Sequence, residues 1–296
     1  MSSLWGEIMG DKAPTRYAII EANQVMFYYG DNIALSNISV DIEQGQHLVI
    51  LGANGSGKST IAKHFNALLT PTKGDILVKG LNTKDSNNTW EIRKSVGMVF
   101  QNPENQIIGA TVEDDIIFGM ENIGLSTEQI AQRLESVIDM LQLQAIRRKE
   151  PYQLSGGQKQ RVAVAGILAM EPDVIIFDEA TSMLDPEGRT EVLKAIEALV
   201  NQYSTTIIHI THDIEEAIVA DYVLIMSNGT IATEGTPQQI FTYQNNLEAY
   251  GLQLPFSMQF YKLFLDIQSG NSSSIVNSDA DIIPMNIDEL VDALCK

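Results

Sequence analysis

The stretch His47-Leu48-Val49-Ile50-Leu51-Gly52-Ala53-Asn54-Gly55-Ser56-Gly57-Lys58-Ser59-Thr60 decides the fold. Its first five residues are short and mostly apolar, as a buried parallel strand requires, and Ser59 to Leu69 alternates at helical spacing. Gly52 to Thr60 therefore joins a strand to a helix, and in that context the G-x-x-x-x-G-K-[ST] spacing has a mechanical meaning. Gly52, Gly55 and Gly57, with Asn54, Ser56 and Thr60, let backbone N–H groups curl around phosphate oxygens, and the helix N-terminus adds partial positive charge. Lys58 is placed to reach the β- and γ-phosphates of a nucleotide, and Ser59 to ligate Mg²⁺. A glycine-rich turn that merely starts a helix is the bland alternative, and the Lys-Ser ending behind a strand speaks against it.

Further along, Val174-Ile175-Ile176-Phe177 is a second apolar strand, ending in Asp178-Glu179. The first carboxylate is placed to hold hydrated Mg²⁺. The second, Glu179, is the candidate to polarise an attacking water, a general-base role worth about 10²–10⁴-fold in rate. A strand ending in Asp-Glu is weak on its own and strong beyond a phosphate loop.

Leu154-Ser155-Gly156-Gly157-Gln158 narrows the class, because it resembles the signature sequence of the ATP-binding-cassette (ABC) ATPases, followed by a helix from about Lys159 to Met170. A serine hydroxyl, two glycines and a helix N-terminus suit an anion. The resemblance implies that Ser155, Gly156, Gly157 and Gln158 bind the ATP held on the phosphate loop of a second subunit, so that two cassettes pair. It implies an α/β fold: a P-loop NTPase ABC nucleotide-binding domain with a RecA-like core, an antiparallel β region and an inserted helical subdomain. Gln101, after the strand Val96 to Phe100, matches the loop glutamine that senses Mg²⁺ and water. His212 matches the switch histidine that contacts the γ-phosphate, whereas His209 reads as a structural residue with a satisfied hydrogen bond. Ser182-Met183-Leu184-Asp185 matches the loop that crosses the dimer interface, with Asp185 also placed to cap a helix starting at Pro186. Val25 to Tyr29 reads as an edge strand, where Tyr29 fits the family's adenine-stacking aromatic and Tyr28 is the adjacent alternative.

Composition agrees. The 296 residues carry a formal net charge of −19 and a sequence pI near 4.5, which opposes binding to nucleic acid or anionic lipid. No apolar run approaches the roughly 18–20 residues that cross a bilayer. The only cysteine is Cys295, and no secretory leader is legible, so a reduced, cytoplasmic protein is expected. A place at the membrane would require a protein partner.

The chain divides into a leader over 1–16, an ATPase domain over 17–235 with a helical subdomain at about 103–155, and a small C-terminal extension over 236–296. Asn82 to Thr89 reads as a polar loop. Ser126 to Gln129 is a capping box, after which Ile130, Leu134, Val137, Ile138 and Leu141 share one helix face. Thr236-Pro237 starts another helix, with Ile240-Phe241 facing inward. Leu252 to Ile267 is apolar enough to pack, Gln268 to Ser274 reads as a linker, and Ile287, Leu290, Val291 and Leu294 form a short amphipathic end helix.

Asn102-Pro103-Glu104-Asn105-Gln106, with Gly109-Ala110-Thr111-Val112-Glu113-Asp114-Asp115-Ile116 and Phe118-Gly119, looks like the ATPase component of energy-coupling factor transporters, and resembles the first of its two paralogues. Those transporters import vitamins and metal ions. The resemblance implies ATP and Mg²⁺ as cofactors, attachment to the cytoplasmic face of the membrane, and a second ABC ATPase as partner, as a paralogous heterodimer or, alternatively, a homodimer. It also implies a membrane coupling (T) component, substrate-binding (S) components and a C-terminal tail that helps the ATPases associate. An acidic groove for the coupling protein's arginines is expected, with Glu104 first and Asp114 and Asp115 as weaker contacts. A conventional ABC importer ATPase and a soluble ABC ATPase outside transport are the alternatives.

Overall fold

The computed structural model describes residues 17–181, 184, 188–190, 192–194, 205–241, 247–269 and 284–294. Four strands, β1 (Ala18–Tyr29), β2 (Asn32–Glu43), β4 (Lys73–Val78) and β5 (Leu81–Asn82), form an antiparallel sheet in the order β2-β1-β4-β5. Six others, β3 (His47–Leu51), β6 (Val96–Val99), β7 (Val174–Asp178), β8 (Thr206–Ile210), β9 (Tyr222–Ser227) and β10 (Thr230–Gly235), form the central sheet, ordered β10-β9-β3-β8-β7-β6. All its neighbours pair in parallel except β9 with β10.

Every residue of β6, β7 and β8 is buried, which is why these strands read as continuous apolar runs instead of alternating ones. The alternation is still present in where the side chains go. Ile175 and Phe177 enter the core shared with the helical subdomain, while Val174 and Ile176 enter the core shared with the antiparallel sheet and the first helix. The three-layer architecture follows from this division of each strand between two cores.

Helix α1 (Lys58–Phe65) leaves the phosphate loop. It ends earlier than the spacing through Leu69 suggests, because Asn66 caps it and Ala67 adopts φ 55°, which no helix continues through. β1 is not an edge strand: it lies between β2 and β4. Its pairing with β4 reaches only Met26, so Tyr28 and Tyr29 have a paired neighbour on the β2 side alone.

After α2 (Thr89–Ser95) and β6, the helical subdomain packs α3 (Val112–Asn122), α4 (Thr127–Met140) and α5 (Gly156–Met170) around one core. The Ser126/Gln129 capping box is present, and Leu134, Val137, Ile138 and Leu141 are buried behind it. The polar loop at 82–89 contains a short 3-10 turn, Ser86–Asn88.

The C-terminal region contributes α6 (Pro237–Ile240), α7 (Phe256–Ser269) and α8 (Ile287–Leu294). Thr236 caps α6, and Ile240 and Phe241 are buried as expected. α7 departs from the expectation of a packed segment. Ser257, Met258 and Tyr261 are buried, but Phe256, Phe260, Leu263 and Ile267 stand exposed in a stripe at helical spacing. Gln268 and Ser269 belong to α7 instead of a linker. The leader at 1–16, the rest of that linker, Ser182, Met183, Asp185, Pro186 and Cys295 lie outside the described residues.

Candidate active site

The phosphate loop leaves β3 and turns into α1 through residues that need glycine. Gly57, the N-cap of α1, has φ 105°, and Gly52 at φ 146° has no room for a Cβ, which would lie 2.3 Å from the Met226 carbonyl oxygen. Both conformations are ones that L side chains avoid. The loop encloses Lys58, whose Nζ donates to the carbonyls of Gly52 (2.7 Å) and Ala53 (2.9 Å). Burial holds this ammonium below its ordinary pKa, while Glu179 and Asp178 oppose that shift. The Ser56 hydroxyl is buried with no hydrogen-bond partner. A buried hydroxyl with an unused hydrogen-bonding capacity and a lysine, inside a nest at a helix N-terminus, fit a phosphate chain.

Beside the loop, the Ser59 hydroxyl donates to Asp178 Oδ1 at 2.7 Å. Burial raises the Asp178 pKa, against the Ser59 hydrogen bond, so a cation here relieves a carboxylate that the fold has desolvated. Among the described residues no cluster of three or more His, Cys, Asp or Glu could hold a metal by itself. A hydroxyl and one carboxylate do suit Mg²⁺, which completes its shell with phosphate oxygens and water.

Glu179 directly follows β7 in a left-handed conformation, φ 50°, a strain of roughly 1–3 kcal/mol that persists only where surroundings over-determine it. Two observed contacts do so: its N–H donates to the Ile210 carbonyl at 2.9 Å, and Gln101 Nε2 donates to its Oε2 at 2.7 Å. Gln101, Glu179, Asp178 and Ser59 are thus brought together, the first as the family resemblance implied.

Two glutamines missed at the sequence level hold Gln101 in place. Gln106 Oε1 accepts the Phe100 N–H and Gln160 Nε2 donates to the Phe100 carbonyl, both at 3.2 Å. The residue before Gln101 is therefore pinned from both sides, once by its own loop and once by α5. The signature residues begin α5: Ser155 and Gln158 form a reciprocal capping box at 3.2 and 3.1 Å, so the helix starts at Gly156 and not near Lys159. The S-x-x-Q spacing that revealed the cap at Ser126 carried the same signal here. Ser155 and Gly156 are exposed, leaving the helix N-terminus open on its outer face.

His212 lies exposed just past β8. Tyr29 is 49% exposed with Phe27 edge-on at 4.9 Å, whereas Tyr28 is half-buried. His209 is fully buried, but the expected satisfied hydrogen bond is missing: both ring nitrogens lack a partner, and Nε2 stands 3.4 Å from Glu216 Oε2 without hydrogen-bond geometry. Burial pushes its pKa down, so the ring is neutral core, stacked 6.4 Å from His47.

A family model for ABC transporters matches residues 35–182. The energy-coupling factor transporter ATP-binding protein EcfA1 of Clostridium novyi is 46% identical over 283 residues, covering 94% of this chain and 98% of its own. The chain belongs to the energy-coupling factor transporter ATP-binding proteins. Among solved structures, this ATPase is similar to cbiO1 of Clostridium perfringens, part of the ABC transporter complex cbiONQ, at TM-score 0.70 and 34% identity over 84% of this chain and 99% of that one. A dimeric ATP-binding cassette solved with ADP and phosphate matches at TM-score 0.68 and 28% identity, over 74% and 98%.

One further feature of this ABC ATPase adjoins the site. A groove of about 350 Å³ is walled by Trp90, Ile108, Phe118 and Ile123, with Gln106 on its lining. Trp90, Ile108 and Phe118 are 55%, 65% and 45% exposed. The groove is not acidic as expected: its charged lining is Arg93, Lys94 and Asp115. Asp115 spends one oxygen on the N–H groups of Ile108 and Gly109, and Asp114 closes the Thr111 capping box. Glu104 pairs with Lys159 at 2.5 Å. The acidic residues singled out in this segment therefore shape it. No helix among the described residues is long and apolar enough to cross a membrane.

Proposed function

We propose that this ATPase powers import through an energy-coupling factor complex, at the cytoplasmic face of the membrane, as one of two paired ABC subunits joined to a coupling protein and to substrate-binding membrane proteins. A single observation carries the reading. The segment Gln101 to Ile108 has one end on the Glu179 carboxylate and the other on the lining of an exposed apolar groove. A partner helix seated in that groove would contact the same short segment that holds the hydrolytic carboxylate.

In this reading ATP lies on the phosphate loop, with Lys58 leaving the Gly52 and Ala53 carbonyls for the phosphates and Ser56 gaining its missing partner. Ser59, Asp178 and Gln101 hold Mg²⁺, which when bound offsets phosphate charge. Glu179, held by Gln101, accepts the proton of the attacking water, and His212 meets the γ-phosphate. Tyr29 stacks on adenine. Ser155 to Gln158, and Asp185 from the interface loop, serve the nucleotide across the dimer. The similarity to a cassette solved as a dimer supports pairing, and the exposed α7 stripe offers apolar surface for the C-terminal tail to add to it. The paralogous wording favours a heterodimer.

Phe118→Asp and Ile108→Asp test the groove, since each sets a carboxylate where a partner helix would exclude water. We expect the membrane coupling protein to be lost from the purified complex while ATP affinity of the chain is unchanged. Retention of the coupling protein in both variants would refute this docking site.

A further inference from the structure

We propose that Arg189 is a positioning residue for ATP hydrolysis, acting through Asp213 and Glu216 on the loop that carries His212. The inference rests on the reading that His212 meets the γ-phosphate. Its starting point is Glu216, whose side chain is 2% exposed. A carboxylate so desolvated requires compensation. Arg189 Nη2 lies 2.6 Å from Glu216 Oε1, and the Thr181 hydroxyl donates to the same oxygen at 2.9 Å. Among the described residues the other oxygen meets the ring of His209 at 3.4 Å.

The same guanidinium nitrogen binds Asp213 Oδ2. Asp213 follows His212 directly, and its other oxygen accepts the Glu215 N–H at 3.0 Å to cap the Ile214–Ala217 turn. Its own N–H donates to the Thr211 hydroxyl at 3.0 Å. The residues on both sides of His212 are thus tied to each other, and that tie ends on Arg189. Thr181 stands two residues after Glu179, so Glu216 also connects to the strand end that carries the candidate base. Arg189 itself is helical, just beyond the interface loop. The Glu216 carboxylate, with Arg189 upon it, therefore joins the chain segments that follow the base, the interface loop and the switch histidine.

Arginine suits this place because a planar guanidinium can face two carboxylates at once, which a lysine ammonium does less well. Without it, Asp213 and Glu216 lose their common counter-charge and the His212 loop loses its anchor. Displacement of a reacting group by about 1 Å can cost on the order of 10²-fold in rate. The phosphate loop and Tyr29 lie on other elements, so nucleotide affinity should be spared.

The test uses the assembled transporter complex with Arg189→Gln, Asp213→Asn and both together, measuring kcat and KM for ATP, with His212→Ala alongside. We expect each single change to lower kcat by about 10- to 100-fold with KM within about twofold, and the double variant to be no worse than the poorer single one. Arg189→Lys keeps a cation opposite Glu216. If the glutamine variant does not assemble, the lysine variant should still show a lowered kcat at unchanged KM. Wild-type kcat in the Arg189 variants, with His212→Ala inactive, overturns the inference alone, as do multiplicative losses in the cycle. Full turnover by His212→Ala overturns it together with the reading of His212.

Discussion

Replacing Glu179 with glutamine separates binding from chemistry at this site. The side chain keeps its length, and its amide oxygen can still accept from Gln101 Nε2, which now lies 2.7 Å from the carboxylate. What is lost is the negative charge and the ability to take a proton. General-base catalysis is worth about 10²–10⁴-fold, or roughly 2.7–5.5 kcal/mol of barrier at 1.36 kcal/mol per decade. Binding should move in the other direction. Glu179 is one of the charges that raise the Asp178 pKa, behind the larger effect of burial, so its neutralisation leaves the carboxylate proposed to hold Mg²⁺ more readily ionised. The assay is paired: nucleotide affinity of the purified chain in the presence of Mg²⁺, and turnover by the assembled complex with this substitution. We expect affinity equal to or above that of the unmodified protein and turnover down by at least about 10²-fold. Undiminished turnover in the complex would refute the assignment of Glu179 as the base. A matching loss of affinity would refute the claim that the residue acts on chemistry alone.

Three other outcomes follow from the structure. Ser59→Ala removes one oxygen and Asp178→Asn removes the negative charge beside it, so the Mg²⁺ concentration needed for half-maximal turnover should rise by about tenfold or more, which a metal titration of the complex reads directly. Phe260→Asp with Leu263→Asp places two charges on the α7 stripe, at side chains now 43% and 58% exposed. Losing about 1 kcal/mol of burial at each would weaken subunit association by roughly 30-fold, measurable by sedimentation, and unchanged association would remove α7 from the interface. His47 is pushed down to about 4, first by burial and then by His209. Because the unfolded chain binds this proton near pH 6.5 and the folded chain does not, stability is complete above that value. It is lost as pH falls towards 4, by about 3 kcal/mol in all. As pH falls through that window the wild type should lose stability relative to His47→Gln, read from denaturation midpoints, and parallel curves would show that His47 does not contribute.

Strands β3, β6, β7 and β8 and the phosphate loop were legible because their signals are local, whereas β9 and β10 went unread. An apolar run, glycines at fixed offsets and a Lys-Ser ending need no information about distant residues. The capping box at Ser126 and the helix start at Thr236-Pro237 were equally local and came out as read. What stayed hidden depended on residues far apart in sequence. β1 looked like an edge because its pairing with β4, some fifty residues away, leaves no mark on its own alternation. The Phe100 clamp joins Gln106 to Gln160, and the Arg189–Glu216–Thr181 network joins three separate chain segments, so no single window contains either. The apolar content of Leu252 to Ile267 suggested a packed segment, but composition does not say whether this chain would cover it, and the structure leaves Phe256, Phe260, Leu263 and Ile267 exposed. The supposed acidity of the groove failed for a related reason: Asp114 and Asp115 serve backbone N–H groups, and Glu104 serves Lys159.

The most direct test of the account as a whole is to purify this chain from its native membrane in mild detergent and identify what accompanies it by mass spectrometry. The account predicts a second ABC ATPase, one membrane coupling protein and one or more small substrate-binding membrane proteins. Recovery with a conventional paired permease and an external binding protein, or from the soluble fraction alone, would contradict it.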